Sequence, residues 1–255
     1  VEPFAIVLTV AAGVVMGAIN NLAGGAGIVG LMAFEHACGL PLAVANPSLR
    51  PAGLCVGLFA LLGYLRAGKR ASLQTWLASL WAVPGAPLGS WLAMRLPDWL
   101  FWLYLCTVLG LLLHQQTRPP APANAPERRW PPWAGPLGCF FAGVHMGYAQ
   151  VGAGLLSTLL LTASFGRDLV NLAVAKSTLV IVTCVASVVS FSSADAMAMG
   201  PALWLALGTA IGSYAASGWA VAKGAEAMRR LIVAVTAVML LYAAVKAVLA
   251  VAAAV

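Results

Sequence analysis

Two cations lie inside apolar runs that give them no counter-charge. Lys176 and Arg50 each sit several residues within a hydrophobic segment, and neither has an acid at helical spacing. A charge at membrane depth costs at least ~2.5 kcal/mol on insertion scales, so it is usually paired or functional. The chemistry on offer is a fixed positive charge that holds an anion. Snorkelling of a long side chain to the nearer interface is the competing explanation. Two glycine-rich breaks, Gly24-Gly25-Ala26-Gly27 and Gly152-Ala153-Gly154, interrupt neighbouring apolar runs. Irregular backbone at that depth is buried in protein or lines a wet cavity. A helix starting there presents unpaired N–H groups that suit an anion, although small residues also serve close helix packing.

Neutral polar residues crowd the same regions: Asn20, Asn21, Asn46, Ser48, Tyr148, Gln150, Ser177 and Thr178. As a set they can replace the water around an oxyanion, whereas singly each Ser or Thr is expected to bond its own backbone. The candidate anion-binding residues are therefore Lys176, Arg50, Asn46, Gln150, Asn21, Gly25, Gly27, Gly152, Gly154, Ser48, Ser177 and Thr178. His145 and the pair Glu35-His36 are candidates for carrying a coupled proton; the competing reading makes them a packed polar residue and the interfacial end of a short helix. No nucleophilic triad, Walker loop, H-E-x-x-H or haem motif occurs, so no enzyme activity is expected.

The elements that position these residues follow from composition. Of 255 residues, 62% are hydrophobic and 8% charged, with a mean hydropathy of +0.94. A soluble chain carries about a quarter charged residues, so this is an integral membrane protein. The five cysteines, Cys38, Cys55, Cys106, Cys139 and Cys184, stand singly and predict neither a disulfide framework nor a metal site. No cofactor is expected. The net charge of +7 lies in loops, where it sets topology rather than binding nucleic acid. The first apolar stretch has no basic leader before it, so no signal peptide is expected. Trp76, Trp99, Trp102, Trp130 and Trp133 fall near segment ends and predict an interfacial belt.

Gly, Pro and charged clusters divide the chain into segments at roughly 4–20, 25–38, 44–65, 72–94 and 97–114, then 135–150, 154–165, 171–191, 197–220 and 229–250. The Pro-rich stretch 115–134 joins an N-terminal repeat (1–114) to a C-terminal repeat (135–255) as a linker. Segments 25–38 and 154–165 are shorter than the about 20 residues a span needs, which leaves two readings, full spans or half-helices of a re-entrant hairpin. Alternation places Arg66, Lys69, Arg70, Arg118, Arg128, Arg129, Arg167, Lys223, Arg229 and Arg230 on one side, against Arg95 and Lys246 on the other. The richer side is cytoplasmic, with the linker inside and both termini outside the inner (plasma) membrane.

The halves echo each other. Ala12-Gly13-Val14-Val15-Met16-Gly17 returns as Ala142-Gly143-Val144-His145-Met146-Gly147, and Ala43–Leu49 returns as Ala173–Leu179, both at an offset of 130. Gly85–Trp91 returns as Gly208–Tyr214 at an offset of 123. An odd number of crossings per half makes the repeat an inverted one. The predicted fold is thus all-α, with about 8–10 helical segments in two inverted repeats and broken or re-entrant helices, one repeat rocking against the other around a midplane site.

These motifs resemble the TauE/SafE family of sulfite and organosulfonate exporters. The likeness rests on Gly24-Gly25-Ala26-Gly27 followed by Gly39-Leu40-Pro41-Leu42-Ala43-Val44-Ala45-Asn46-Pro47-Ser48-Leu49. It rests equally on Gly152-Ala153-Gly154 with Ala173–Leu179, and on the Gly-x-x-x-Gly-Ser pair at Gly85 and Gly208. Asn46 and Lys176 stand where that family often carries a small hydroxyl residue. The resemblance implies export of a small sulfur-containing oxyanion such as sulfite or a short sulfonate; the residues themselves imply only an anion. The expected partners are that anion, the lipid bilayer and, through His145 or Glu35-His36, protons. Oligomerisation is compatible with the sequence. The rivals are an importer or channel for another anion such as thiosulfate, leaning on Cys38 or Cys184, and a membrane assembly protein that moves nothing. Alkaline phosphatase fused after Val255 is expected to be active, and the same reporter inserted at Pro122 inactive; the reverse pattern overturns the orientation.

Overall fold

The structure, a computed structural model, describes residues 2–23, 26–66, 68–117, 131, 133–154, 156–157, 160–161, 169–220 and 225–254. Gly24, Gly25, linker residues 118–130, Arg167 and Lys223 lie outside the described residues. The helices are α1 (Pro3–Ala23), α2 (Gly27–His36), α3 (Leu42–Ser48), α4 (Arg50–Arg66), α5 (Leu73–Ser79), α6 (Gly85–Arg95), α7 (Asp98–Thr117), α8 (Ala134–Tyr148), α9 (Leu169–Ser192), α10 (Met199–Ala220) and α11 (Ala225–Ala254). There is no strand among the described residues. Among the described residues, five stretches are long and apolar enough to cross a bilayer: Pro3–Asn20, Leu42–Arg66, Asp98–Thr117, Leu172–Ser192 and Val233–Ala254. The chain is an all-α, multi-pass membrane protein. Large apolar side chains such as Phe4, Val7, Leu241 and Val248 point outward, as a lipid-facing surface requires.

Two predicted segments are divided. Segment 44–65 breaks at Leu49 into α3 and α4, because Pro51 has no N–H to offer the Pro47 carbonyl. The second copy has Ser177 and Ile181 at those places, and α9 runs through without a break. Segment 72–94 becomes α5, capped by Ser72 Oγ accepting from Thr75 N at 3.1 Å, then a 3-10 turn at Leu80–Ala82 and, after Pro84, α6. Trp102, expected at the interface, is buried against Phe101 and Tyr242.

The short segment does fold back. α2 has ten residues, about 15 Å, half of a hydrocarbon core about 30 Å thick. It returns beside α1: Gly30 packs on Met16, and Cys38 Sγ lies 3.4 Å from Thr9 Oγ1. In the second half, helical backbone at 153–154, 156–157 and 160–161 returns beside α8, with Leu160 against Gly138.

Glycines carry the long-range packing, in two matching sets. Gly13 and Gly17 of α1 press on the backbone of α10 at Leu205 and Thr209, while Gly208 and Gly212 of α10 press on α1 at Val10 and Val14. Gly143 and Gly147 of α8 press on Ala82 and Ala86, while Gly85 and Gly89 of α6 press on α8 at Phe140 and Val144. Every residue of the first set maps onto the second by the offsets 130 and 123. The equivalent helices α4 and α9 pack on each other, as do α7 and α11. This is the contact pattern of a two-fold duplicate whose halves have exchanged helices. Without Cβ atoms the backbones approach closely enough for extensive van der Waals contact.

A Cβ at Gly17 would fall 2.8 Å from Ser213 N, and one at Gly147 would fall 2.9 Å from Ser90 N. Gly17→Val and Gly147→Val are each expected to lower stability by about 1–3 kcal/mol, read by unfolding in bicelles. Gly110→Ala, with open space around it, is expected to be neutral or to stabilise by about 0.5–1 kcal/mol. Equal effects at all three positions would remove the crossings from the account.

Candidate functional site

The two breaks meet. α1 ends at Ala23, and Asn20 Oδ1 accepts from Ala26 N at 2.9 Å, turning the chain into α2. The first turn of α2 has no side-chain cap, and Gly27 faces Val151, whose Cα lies 3.3 Å from the place a Gly27 Cβ would occupy. Val151 belongs to the second break. There α8 stops at Tyr148, and the chain reverses through Gln150 (φ 54) and Gly152 (φ 78). Left-handed backbone costs a non-glycine residue roughly 1–2 kcal/mol, so Gln150 is held by its surroundings. Asn20 and Gln150 are equivalent under the offset of 130.

Arg50 holds Gln150. The guanidinium is fully buried: Nη1 donates to Gln150 Oε1 at 2.8 Å and to Asn46 O at 3.0 Å, and Nη2 donates to Gly147 O at 2.7 Å. Asn46 Nδ2 donates to Tyr148 O at 2.8 Å. Two side chains from the α3–α4 break thus satisfy the last carbonyls of α8, which no helical turn serves. The Phe191 ring covers Arg50 at 5.1 Å from Cζ, and Gln150 Nε2 reaches Cys184 Sγ at 3.8 Å. None of the described groups bonded to Arg50 is a carboxylate. Three buried atoms on this helix end have no partner among the described residues: Arg50 Nε, His145 Nε2 and the Tyr148 hydroxyl. The other ring nitrogen of His145, Nδ1, shares a hydrogen bond of 2.7 Å with the Tyr104 hydroxyl.

The remaining candidates spread out. Arg50 packs at Phe191, Gly53 at Cys184 and Gly57 at Ile181, so α4 and α9 run antiparallel. Lys176 is fifteen residues along α9 from Phe191, about 22 Å of helix rise. It is half-buried, with no hydrogen bond or ion pair to a described residue. The two cations therefore do not share one seat. Ser48 donates to Val44 O and accepts from Ala198 N; Ser177 donates to Ala173 O; Thr178 bonds Ala175 O and Ser79 Oγ. These hydroxyls serve their own helices and the neighbouring chain. Gly152 shapes the break, and Gly154 lies in the helical backbone after it. Gly25 and the Asn21 side chain lie outside what is described. Glu35 is paired with Lys246 at 2.9 Å and accepts from the Tyr242 hydroxyl at 2.6 Å, with His36 Nε2 3.4 Å from that hydroxyl. That cluster joins the end of α2 to α11.

Sequence reasoning passed over Tyr104 and Phe191, which carry no pattern of their own, and the acceptor role of the Gly147 and Tyr148 carbonyls, which no residue type announces.

The family model described as "Sulfite exporter TauE/SafE" matches residues 9–243. No curated protein and no solved structure matches the chain.

Removing the Arg50 fork takes this donor from Gln150 Oε1, Asn46 O and Gly147 O in an apolar interior. Arg50→Ala is expected to cost about 3 kcal/mol, since an unsatisfied buried group costs about 1–3 kcal/mol, and Asn46→Ala about 1 kcal/mol. Unfolding in bicelles reads both; an Arg50→Ala protein as stable as wild type would show that the fork does not hold the end of α8.

Proposed function

The chain belongs to the sulfite exporter TauE/SafE family, a family of membrane transporters, and on that premise we propose that it is a secondary transporter that exports a small sulfur-containing oxyanion such as sulfite or a short sulfonate. The observation that carries the reading is the meeting of the two breaks at Gly27 and Val151, with Arg50 bonded to the adjacent Gln150. An anion between them would face the uncapped N-terminus of α2 on one side and the guanidinium on the other, two positive ends of different origin. Asn46 and Gln150 supply neutral hydrogen bonds. Lys176, on the cytoplasmic side under the charge-derived orientation, draws anions from the cytoplasm toward this seat. In this reading His145, bonded through Nδ1 to the Tyr104 hydroxyl, carries the coupled proton.

The glycine crossings bear on how access alternates. Each ties a helix of one repeat to a helix of the other, so the bodies free to rock are not the sequence halves. One comprises α1, α2 and α10; the other comprises α6, α8 and the helical backbone after Gly152. Gly27 and Val151 then lie on opposite bodies, and their contact is the closure between them.

Labelled sulfite and short sulfonates are expected to cross proteoliposome membranes carrying the protein, with Lys176→Ala slowing flux roughly tenfold, the loss of about 1.4 kcal/mol of attraction. If no anion moves, the transport reading fails; if Lys176→Ala transports as wild type, the lysine has no part in it. A Gly27 Cβ would lie 3.7 Å from Val151 Cβ, within disulfide range of about 3.5–4.5 Å. Gly27→Cys combined with Val151→Cys is therefore expected to stop flux on oxidation and to recover on reduction. Unaltered flux through the oxidised pair would refute the moving bodies named above.

A further inference from the structure

Arg50 is a fully buried cation whose described partners are all neutral. A guanidinium stays protonated in proteins, so the site as it stands carries one uncompensated positive charge. Burying such a charge costs several kcal/mol unless it is paired. Carbonyl and amide dipoles offset part of that cost and leave the net charge in place. The ligand that completes the site is one that brings a single negative charge.

Gln150 is the place where it enters. Its Oε1 accepts from Arg50 Nη1 at 2.8 Å, the contact a ligand oxygen would make. Its backbone is left-handed, on the break that abuts Gly27. Gly147 O and Asn46 O are main-chain atoms fixed by α8 and α3. Two acceptors sit on side chains: Asn46 Oδ1, at 3.5 Å from both Nη1 and Nη2 and held in place by Asn46 Nδ2 on Tyr148 O, and Gln150 Oε1, the closer of the two, which can turn away without unmaking a helix. The unpartnered Arg50 Nε, His145 Nε2 and Tyr148 hydroxyl are spare hydrogen-bonding atoms around the same helix end.

Resting on the transport reading above, we propose that Gln150 is a neutral stand-in for the substrate, giving up Arg50 to the bound anion, and that the pair selects monoanions over dianions. A monoanion neutralises Arg50 and leaves the core without net charge. A dianion leaves one negative charge in the same apolar surroundings, and Lys176, about 22 Å of helix rise along α9 from the level of Arg50, is too far away to pair with it. The substrate class is then a singly charged oxyanion, such as a sulfonate or the protonated form of sulfite, rather than a doubly charged one such as sulfate.

The test compares labelled methanesulfonate and sulfate, singly and doubly charged at neutral pH, in proteoliposomes of the full chain. Wild type is expected to move methanesulfonate at least about tenfold faster, a difference of about 1.4 kcal/mol, and methanesulfonate but not sulfate is expected to raise the melting temperature of the purified protein. Gln150→Glu supplies a resident carboxylate to Arg50; it is expected to abolish both the flux and the methanesulfonate-induced rise while melting no lower than wild type. Equal transport of the two anions, or wild-type flux through Gln150→Glu, would overturn the charge selection and leave the transport reading standing. Absence of flux for either anion in wild type, with normal melting, would overturn both. Should Gln150→Glu melt early, the wild-type ratio of the two anions decides alone.

Discussion

A helix that stops inside an apolar medium leaves its last carbonyls without donors, and the bilayer offers none. In this protein that demand falls on Tyr148, where α8 ends inside the bundle, and it is met from the opposite repeat by Arg50 and Asn46. The arrangement fixes much else. It requires α3 and α4 to pass beside the second break, where Arg50 also reaches back one turn to the Asn46 carbonyl. It requires Gln150 to accept a strained backbone so that its amide can join the same fork. A positive charge thereby comes to rest at the centre of the molecule as the consequence of closing a helix.

The two halves are related more closely in space than in residue type. Leu205 and Thr209 correspond to Ala82 and Ala86, chemically unlike residues, yet their carbonyls take the same glycine contacts. What has been kept is absence of side-chain volume on one helix and backbone on the other. The breaks are less alike: Asn20 turns the first by accepting from Ala26 N, whereas Gln150 turns the second under the hold of Arg50. Val180 is the sequence equivalent of Arg50, so one copy holds the charge and the other an aliphatic side chain. The glycine contacts follow the repeat, and the buried charge departs from it.

Much of this was legible in the sequence. The membrane class and the half-length of residues 25–38 follow from hydropathy and spacing, whereas the echoes around Gly13, Gly85, Gly143 and Gly208 read only as a repeat, and that they are contacts between the halves emerges from the fold. Arg50, Asn46 and Gln150 stood out because polar groups are rare in such runs. The separation of Arg50 from Lys176 did not follow, because it depends on how α4 and α9 slide against each other, and one sequence carries no register between distant helices. Glu35 read as half of a pair with His36, whereas its partner Lys246 lies at the far end of the chain. Trp102 matched an interfacial residue by position along its segment, but the face it occupies on α7 turns inward.

The exchange of helices also sets a timetable for biosynthesis. The glycine face of α1 meets its partner at Leu205 to Gly212, almost two hundred residues later in the chain. At about 5–20 residues per second the ribosome takes about ten to forty seconds to deliver it. During that interval a helix bearing the buried Thr9, with Asn20 and Asn21 at its end, resides in lipid without the surface that covers it. The early half must therefore rely on its own hydrophobicity, and on whatever insertion machinery shelters it, until the last third of the chain arrives.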